Sequence, residues 1–162
     1  MIWFEIIIAV IVICFGVVVI FGAPYVPTLK PQVRTALELA ALKKGQTMLE
    51  LGCGDGKVLV AAARKGINTV GYELNPLLAA VAWLRTRRYR RQVTVIWGDY
   101  WRKEWPPAAA IFTFLLPKYM EKLDKKITRY DHKPVRLVSF AFRIPGKQAV
   151  REQNGVYLYT YR

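Results

Sequence analysis

The run Met48-Leu49-Glu50-Leu51-Gly52-Cys53-Gly54-Asp55-Gly56-Lys57 constrains this chain more than any other segment. An apolar strand enters a turn with glycine at every second position, and an alanine-rich amphipathic stretch follows at once. Glycine tolerates positive φ and carries no Cβ, so such a turn lets the backbone pass close to a ligand. A helix starting near Gly56 would present N–H groups and a positive dipole end to an anion. The spacing is G-x-G-x-G, not the G-x-G-x-x-G of nicotinamide and flavin folds. Glu50 precedes the first glycine by two positions, and Glu73 ends the next apolar run, Asn68-Thr69-Val70-Gly71-Tyr72-Glu73. A carboxylate at that second place can accept two hydrogen bonds from a ribose diol.

Strand-like and helix-like segments alternate from there. Strands are expected at 47–51, 69–73, 93–97, 109–114 and 135–141, with an alternating terminal strand at 155–161. Helices are expected at 32–44, 57–65, 76–88 and 118–129, the third with Pro76 in its first turn. The β-α-β alternation implies right-handed crossovers and a largely parallel sheet. No helix of normal length fits between residue 141 and the last strand, so the C-terminal end is minimal.

The 162 residues hold one ordinary domain and an apolar N-terminal run. Residues 2–22 carry one charge, Glu5, and at the rise of a helix they span the ~30 Å of a hydrocarbon core. A signal peptide would need a basic n-region, and none is present. A transmembrane anchor at 2–22 is the expectation. Basic residues follow the span (Lys30, Arg34, Lys43, Lys44) and none precede it. Positive-inside bias then puts the C-terminal domain in the cytoplasm, or in the matrix of a mitochondrion. The net charge of +14 fits an anionic lipid surface or RNA, and composition does not separate them. The densest basic cluster, Arg85 to Arg91, reads as a solvated helix end or a contact for lipid or an acidic partner. One aromatic, Tyr89, is interleaved there, a poor platform for nucleic acid. The two cysteines, Cys14 and Cys53, form no disulfide framework, and His132 sits in a polar turn away from both.

Together, the glycine turn and the two acidic positions resemble the class I, seven-β-strand methyltransferases that use S-adenosylmethionine (SAM). The resemblance implies a Rossmann-like α/β fold with a seven-stranded, mostly parallel sheet over 45–162. It also distributes roles. Backbone N–H groups of Gly52, Cys53, Gly54, Asp55, Gly56 and the next helix start would take the methionine carboxylate. Turn carbonyls and the Glu50 carboxylate would take its ammonium, and Glu73 the ribose hydroxyls. Asn75 serves either as a ribose contact or as the cap of the helix at Pro76. In Trp97-Gly98-Asp99-Tyr100-Trp101, Asp99 is the candidate acceptor for the adenine amino group, and Tyr100 stands among aromatics able to sandwich a purine. The fourth strand ends Thr113-Phe114-Leu115-Leu116-Pro117-Lys118-Tyr119. Methyltransferases of planar amides and base amino groups carry Asn/Asp-Pro-Pro-Tyr there. The apolar replacement argues against methylation of N6-adenine, N4-cytosine or glutamine. Phe114, Pro117 and Tyr119 are candidates for an acceptor channel, without an assigned base.

A narrower likeness joins the apolar N-terminus, Pro24-Tyr25-Val26-Pro27-Thr28 and the pair of motifs at 52–57 and 71–76. This set is similar to the membrane-anchored lysine methyltransferases of the adenine nucleotide translocase and the ATP synthase c-subunit, and to their prokaryotic relatives. It implies lysine N-methylation of an integral membrane protein, with Tyr25 and Thr28 in the juxtamembrane segment 23–44 folded over the cofactor. Without it, 24–28 reads as a stiff proline spacer. The rival readings are a SAM-dependent methyltransferase of a lipid-soluble small molecule or headgroup, and a non-catalytic SAM-binding module.

Overall fold

The computed structural model describes residues 2–6, 8, 9, 12, 16 and 26–162. The span expected at 2–22 lies for the most part outside the described residues. Among the described residues, no helix is long and apolar enough to cross a membrane.

The elements are α1 (Lys30–Ala40), β1 (Thr47–Leu51), α2 (Lys57–Arg64), β2 (Asn68–Glu73), α3 (Pro76–Thr86), β3 (Val93–Trp97), β4 (Ala110–Thr113), α4 (Pro117–Thr128), β5 (Val135–Phe140), β6 (Arg151–Gln153) and β7 (Val156–Tyr161). A 3₁₀ turn at Arg87–Tyr89 follows α3. The described strands form one sheet in the order β3-β2-β1-β4-β5-β7-β6. β1 to β5 run parallel, and β7 is antiparallel to both of its neighbours. The chain therefore starts at mid-sheet, winds outward to β3, then returns to lay β4 on the other side of β1. In such a sheet the crevice opens beyond the carboxyl ends of the strands at that reversal. Leu51 of β1 stands there between Tyr72 of β2 and Thr113 of β4.

Alternation along the strands sends side chains into two cores. Leu49, Ile111 and Leu137 face α4, whose Met120, Leu123 and Ile127 are fully buried at helical spacing. Burial of each is worth about 1.5–3 kcal/mol. Met48, Phe112 and Val138 face the other way, onto Val33, Leu37 and Ala40 of α1 and Val58 of α2.

The seven-stranded α/β fold matches the expectation, with some boundaries moved. α1 stops before Lys43 because Ala41 turns left-handed (φ 45°) and its N–H closes onto the Leu37 and Glu38 carbonyls. β6 went unforeseen. Its Arg-Glu-Gln is wholly exposed, so it has no buried face to impose alternation. No helix lies between Phe140 and Arg151.

Candidate active site

The reversal point carries a cleft walled by the β1–α2 turn, the ends of β2 and β4, the β3–β4 loop, and Val26, Pro27 and Thr28 from the N-terminal side. The turn is left-handed at each glycine, with φ of 81° at Gly52, 53° at Gly54 and 78° at Gly56. Its N–H groups are mostly taken. Those of Gly52 and Cys53 donate to the Tyr72 carbonyl at 3.0 and 2.8 Å, and that of Gly56 to the Cys53 carbonyl at 2.9 Å. Gly54 N–H donates to Glu73 Oε2 at 2.8 Å. The expected anion cradle of glycine N–H groups is thus drawn into bracing the turn against β2. What the turn offers a ligand is close approach.

Glu73 is the brace. Its Oε1 accepts from Asn75 N–H at 2.8 Å while Oε2 holds Gly54, and the side chain also lines the cleft. Burial raises its pKa against these backbone donors. Glu50 is different. It is buried at the cleft wall, and its Oε2 has no hydrogen-bond partner among the described residues. Burial first, then the charges of Glu73 and Asp55, push its carboxyl well above the usual range. A buried carboxyl oxygen without a donor is costly, by about 1–3 kcal/mol. A ligand bearing a cation or N–H donors would relieve it.

Asp55 also lines the cleft, paired with Arg85 of α3 and lying 3.7 Å from Lys57 Nζ. The Cys53 thiol is buried, and burial with the neighbouring carboxylates pushes its pKa well up, so it stays protonated and inert. Gly56 does not line the cleft. Its Cα faces α3, where a Cβ would meet Ala82 Cα and Cβ at 3.1 Å. Asn75 is fully buried outside the cleft wall, and its Oδ1 accepts from Leu77 and Leu78 N–H at 2.9 and 3.3 Å. Of the two roles open to it, the geometry is that of the helix cap.

At the far rim, Gly98 N–H donates to the Glu73 carbonyl at 2.8 Å, which sets the β3–β4 loop beside Glu73. Asp99 and Tyr100 both line the cleft. Asp99 Oδ1 already accepts from Trp101 N–H at 2.8 Å, and Oδ2 lies 3.5 Å from Arg102 Nε. Burial raises the Tyr100 phenol, and its ring packs 4.9 Å from Trp101.

The opposite end is apolar. Phe114, Leu115, Leu116, Tyr119 and Phe142 line it, with the Phe114 ring 4.6 Å from Phe140 and 6.3 Å from Phe142. Pro117 is not part of this wall, because it opens α4, where its fixed φ suits the first turn. Thr28 lines the cleft; Tyr25 lies outside the described residues. Sequence reading gave no role to Lys57 or Phe142, which also face the space, as do Trp101 and Leu116 from the aromatic and apolar segments it named. Lys57 closes the glycine motif and Trp101 follows Tyr100 directly, and that adjacency was the available signal.

Residues 50–151, the span that carries the turn, both glutamates and the apolar end, match the ANTKMT methyltransferase domain. The chain belongs to that family. It is 31% identical to the human lysine N-methyltransferase of the ATP synthase c-subunit over 126 residues, which is 75% of this chain and 53% of the human protein. A protein-lysine N-methyltransferase of Saccharolobus islandicus is 31% identical over 150 residues, 85% of this chain and 92% of that one. Mouse adenine nucleotide translocase lysine N-methyltransferase is 32% identical over 78% of this chain and 56% of its own length. The chain thus spans about half the length of the animal relatives it matches. Among solved structures, an RNA methyltransferase of Salinibacter ruber in complex with S-adenosyl-L-homocysteine superposes with a TM-score of 0.78 at 30% identity, covering 83% of this chain and 93% of that one. A SAM-dependent methyltransferase of Geobacter sulfurreducens, also with S-adenosyl-L-homocysteine, shares the fold at a TM-score of 0.62 and 19% identity, over 86% of this chain and 58% of that one.

Proposed function

We propose that this protein is a SAM-dependent protein-lysine N-methyltransferase acting on a membrane protein. In this reading residues 2–22 anchor it in a bilayer, and the domain stands on the cytoplasmic or matrix side. The observation that carries the cofactor is Glu50: a buried, donor-less carboxyl oxygen at the cleft wall suits the ammonium of a methionine moiety. Lys57 lines the cleft beside the turn and is the cation for the methionine carboxylate, in place of the glycine N–H groups already engaged. The lone pairs that Glu73 does not use on Gly54 and Asn75 are available to ribose hydroxyls, with Asp99 and Tyr100 toward the adenine and Thr28 over the top. SAM, when bound, supplies a methyl group activated on a sulfonium.

The chain's own task is at the acceptor. A free lysine has a pKa near 10.4, so only about one in a few thousand is neutral at pH 7. Apolar walls of Phe114, Leu116, Tyr119 and Phe142 disfavour the ammonium form. They carry no side-chain amide to grip a planar amide or base edge. The lysine methyltransferases among the relatives support the same acceptor.

The test is to supply methyl-labelled SAM to membranes containing the full chain, then fractionate protein, lipid and RNA. Label on lysine of a membrane protein is expected, with a transfer rate that climbs between pH 7 and 9 as the amine deprotonates. Label in lipid extract would favour the small-molecule reading. The Salinibacter neighbour supports a second reading, RNA methylation, which label in RNA would favour instead.

A further inference from the structure

From Leu74 to Gly98 the sequence holds no acidic residue, and its cations are all arginine: Arg85, Arg87, Arg88, Arg90 and Arg91. The structure collects this segment at the β3 edge. α3 buries Leu78, Ala79, Ala82 and Thr86, and turns Val81, Trp83 and Leu84 outward at 41%, 57% and 60% exposure. Trp97 joins them at 67% exposure, its indole N–H held by the Leu74 carbonyl at 3.1 Å. Arg85, Arg87, Arg88 and Arg90 shape a shallow groove against Leu84.

Single exposed apolar residues need no explanation, but two tryptophans, a leucine and a valine on one cationic edge do. Tryptophan prefers the headgroup level of a bilayer, and guanidinium groups bind phosphate in bidentate fashion. An exposed apolar helix face ending in arginine combines the two terms that set interfacial binding, buried apolar area and attraction to anionic lipid. RNA would ask for aromatic platforms along the cationic groove. Here aliphatic Val81 and Leu84 share the face, and neither stacks a base.

We infer that the outer face of α3, with Trp97 and the arginine turn after it, seats the domain on an anionic bilayer surface. The inference uses the anchoring reading only to bring a bilayer near, and it is independent of methyl transfer. Arg85 also holds Asp55 at the cleft, so the seated face adjoins the site.

The test is hydrogen exchange on the full chain in lipid nanodiscs of pure phosphatidylcholine or with about one-third phosphatidylglycerol. Amides of residues 80–91 should exchange roughly fivefold or more slowly on the anionic discs, an effect reduced by high salt. The double variants Trp83→Ser/Leu84→Ser and Arg87→Gln/Arg91→Gln should each lose this slowing while binding S-adenosylhomocysteine as the parent does. If the chain does not enter discs, flotation with anionic against neutral vesicles gives the same comparison without an anchor. Equal exchange or equal flotation in both lipids overturns the inference. Protection of 80–91 by polyuridylate, and not by anionic lipid, also overturns it and makes the edge an RNA surface.

Discussion

Replacing Glu50 by Gln should separate a ligand-binding carboxylate from a structural one. Gln keeps the shape and removes the charge. A hydrogen bond to a charged group is worth about 1.5–3 kcal/mol. At about 1.4 kcal/mol per decade, S-adenosylhomocysteine should bind E50Q roughly 10- to 150-fold more weakly by calorimetry. Stability should move the other way with pH. Burial, Glu73 and Asp55 raise the folded pKa of Glu50, so the folded chain holds this proton more tightly than the unfolded one. That contribution is full below the unfolded value of about 4.3 and is lost as pH rises toward the raised folded value. Without ligand, the parent should therefore lose melting temperature relative to E50Q as the buffer moves from pH 5 toward 8. A ligand ammonium favours the ionised carboxylate, so parent affinity should tighten with pH over the same window, and E50Q should lose that increment. Equal affinity of parent and E50Q, with the same pH slope, would remove Glu50 from the ligand.

Glu73→Ala removes the brace on Gly54 and Asn75 together with the proposed ribose contact, so affinity for S-adenosylhomocysteine should fall at least about tenfold and the melting temperature should fall with it. An unchanged melting temperature would show that the brace is dispensable. Asn75→Ala should lower stability by about 0.5–2 kcal/mol in urea titration, as loss of an N-cap does, and leave affinity within a factor of three or so. Greater loss of affinity than of stability would return Asn75 to the ribose. Gly71→Ala would set a Cβ 2.8 Å from Leu59 Cδ1 and 2.9 Å from Cys53 Sγ. Overpacking there should destabilise by about 1–3 kcal/mol, and the protein should melt several degrees lower.

Much of the sheet is visible in the sequence because each parallel strand is an apolar run ended by glycine or a turn. Glu50, Gly52, Glu73 and Asp99 sit at those ends, so their shared rim follows from strand order once β1 is placed at mid-sheet. Side-chain direction inside a turn does not follow from spacing. Gly56 turns toward α3, Asn75 folds back to cap its helix, and Pro117 enters a helix start, each a position or two from a residue that faces the cleft. The N–H groups of Gly52 and Gly54 show the same limit, since their partners lie on a strand about twenty residues away. β6 had no signal because three exposed polar residues carry no period.

The short route from β5 to β6 has a consequence for what can be methylated. Only turn-like chain, with Phe142 at its start, borders the apolar end of the cleft on that side. A small amine entering there would keep part of its water shell and with it much of its proton affinity. A lysine presented on a folded surface brings its own neighbours, which can close over the opening and complete the dry enclosure. On the proposed lysine reading, the acceptor protein would itself act as the lid, and selectivity would pass from the fit of one side chain to the contour of the surface around it.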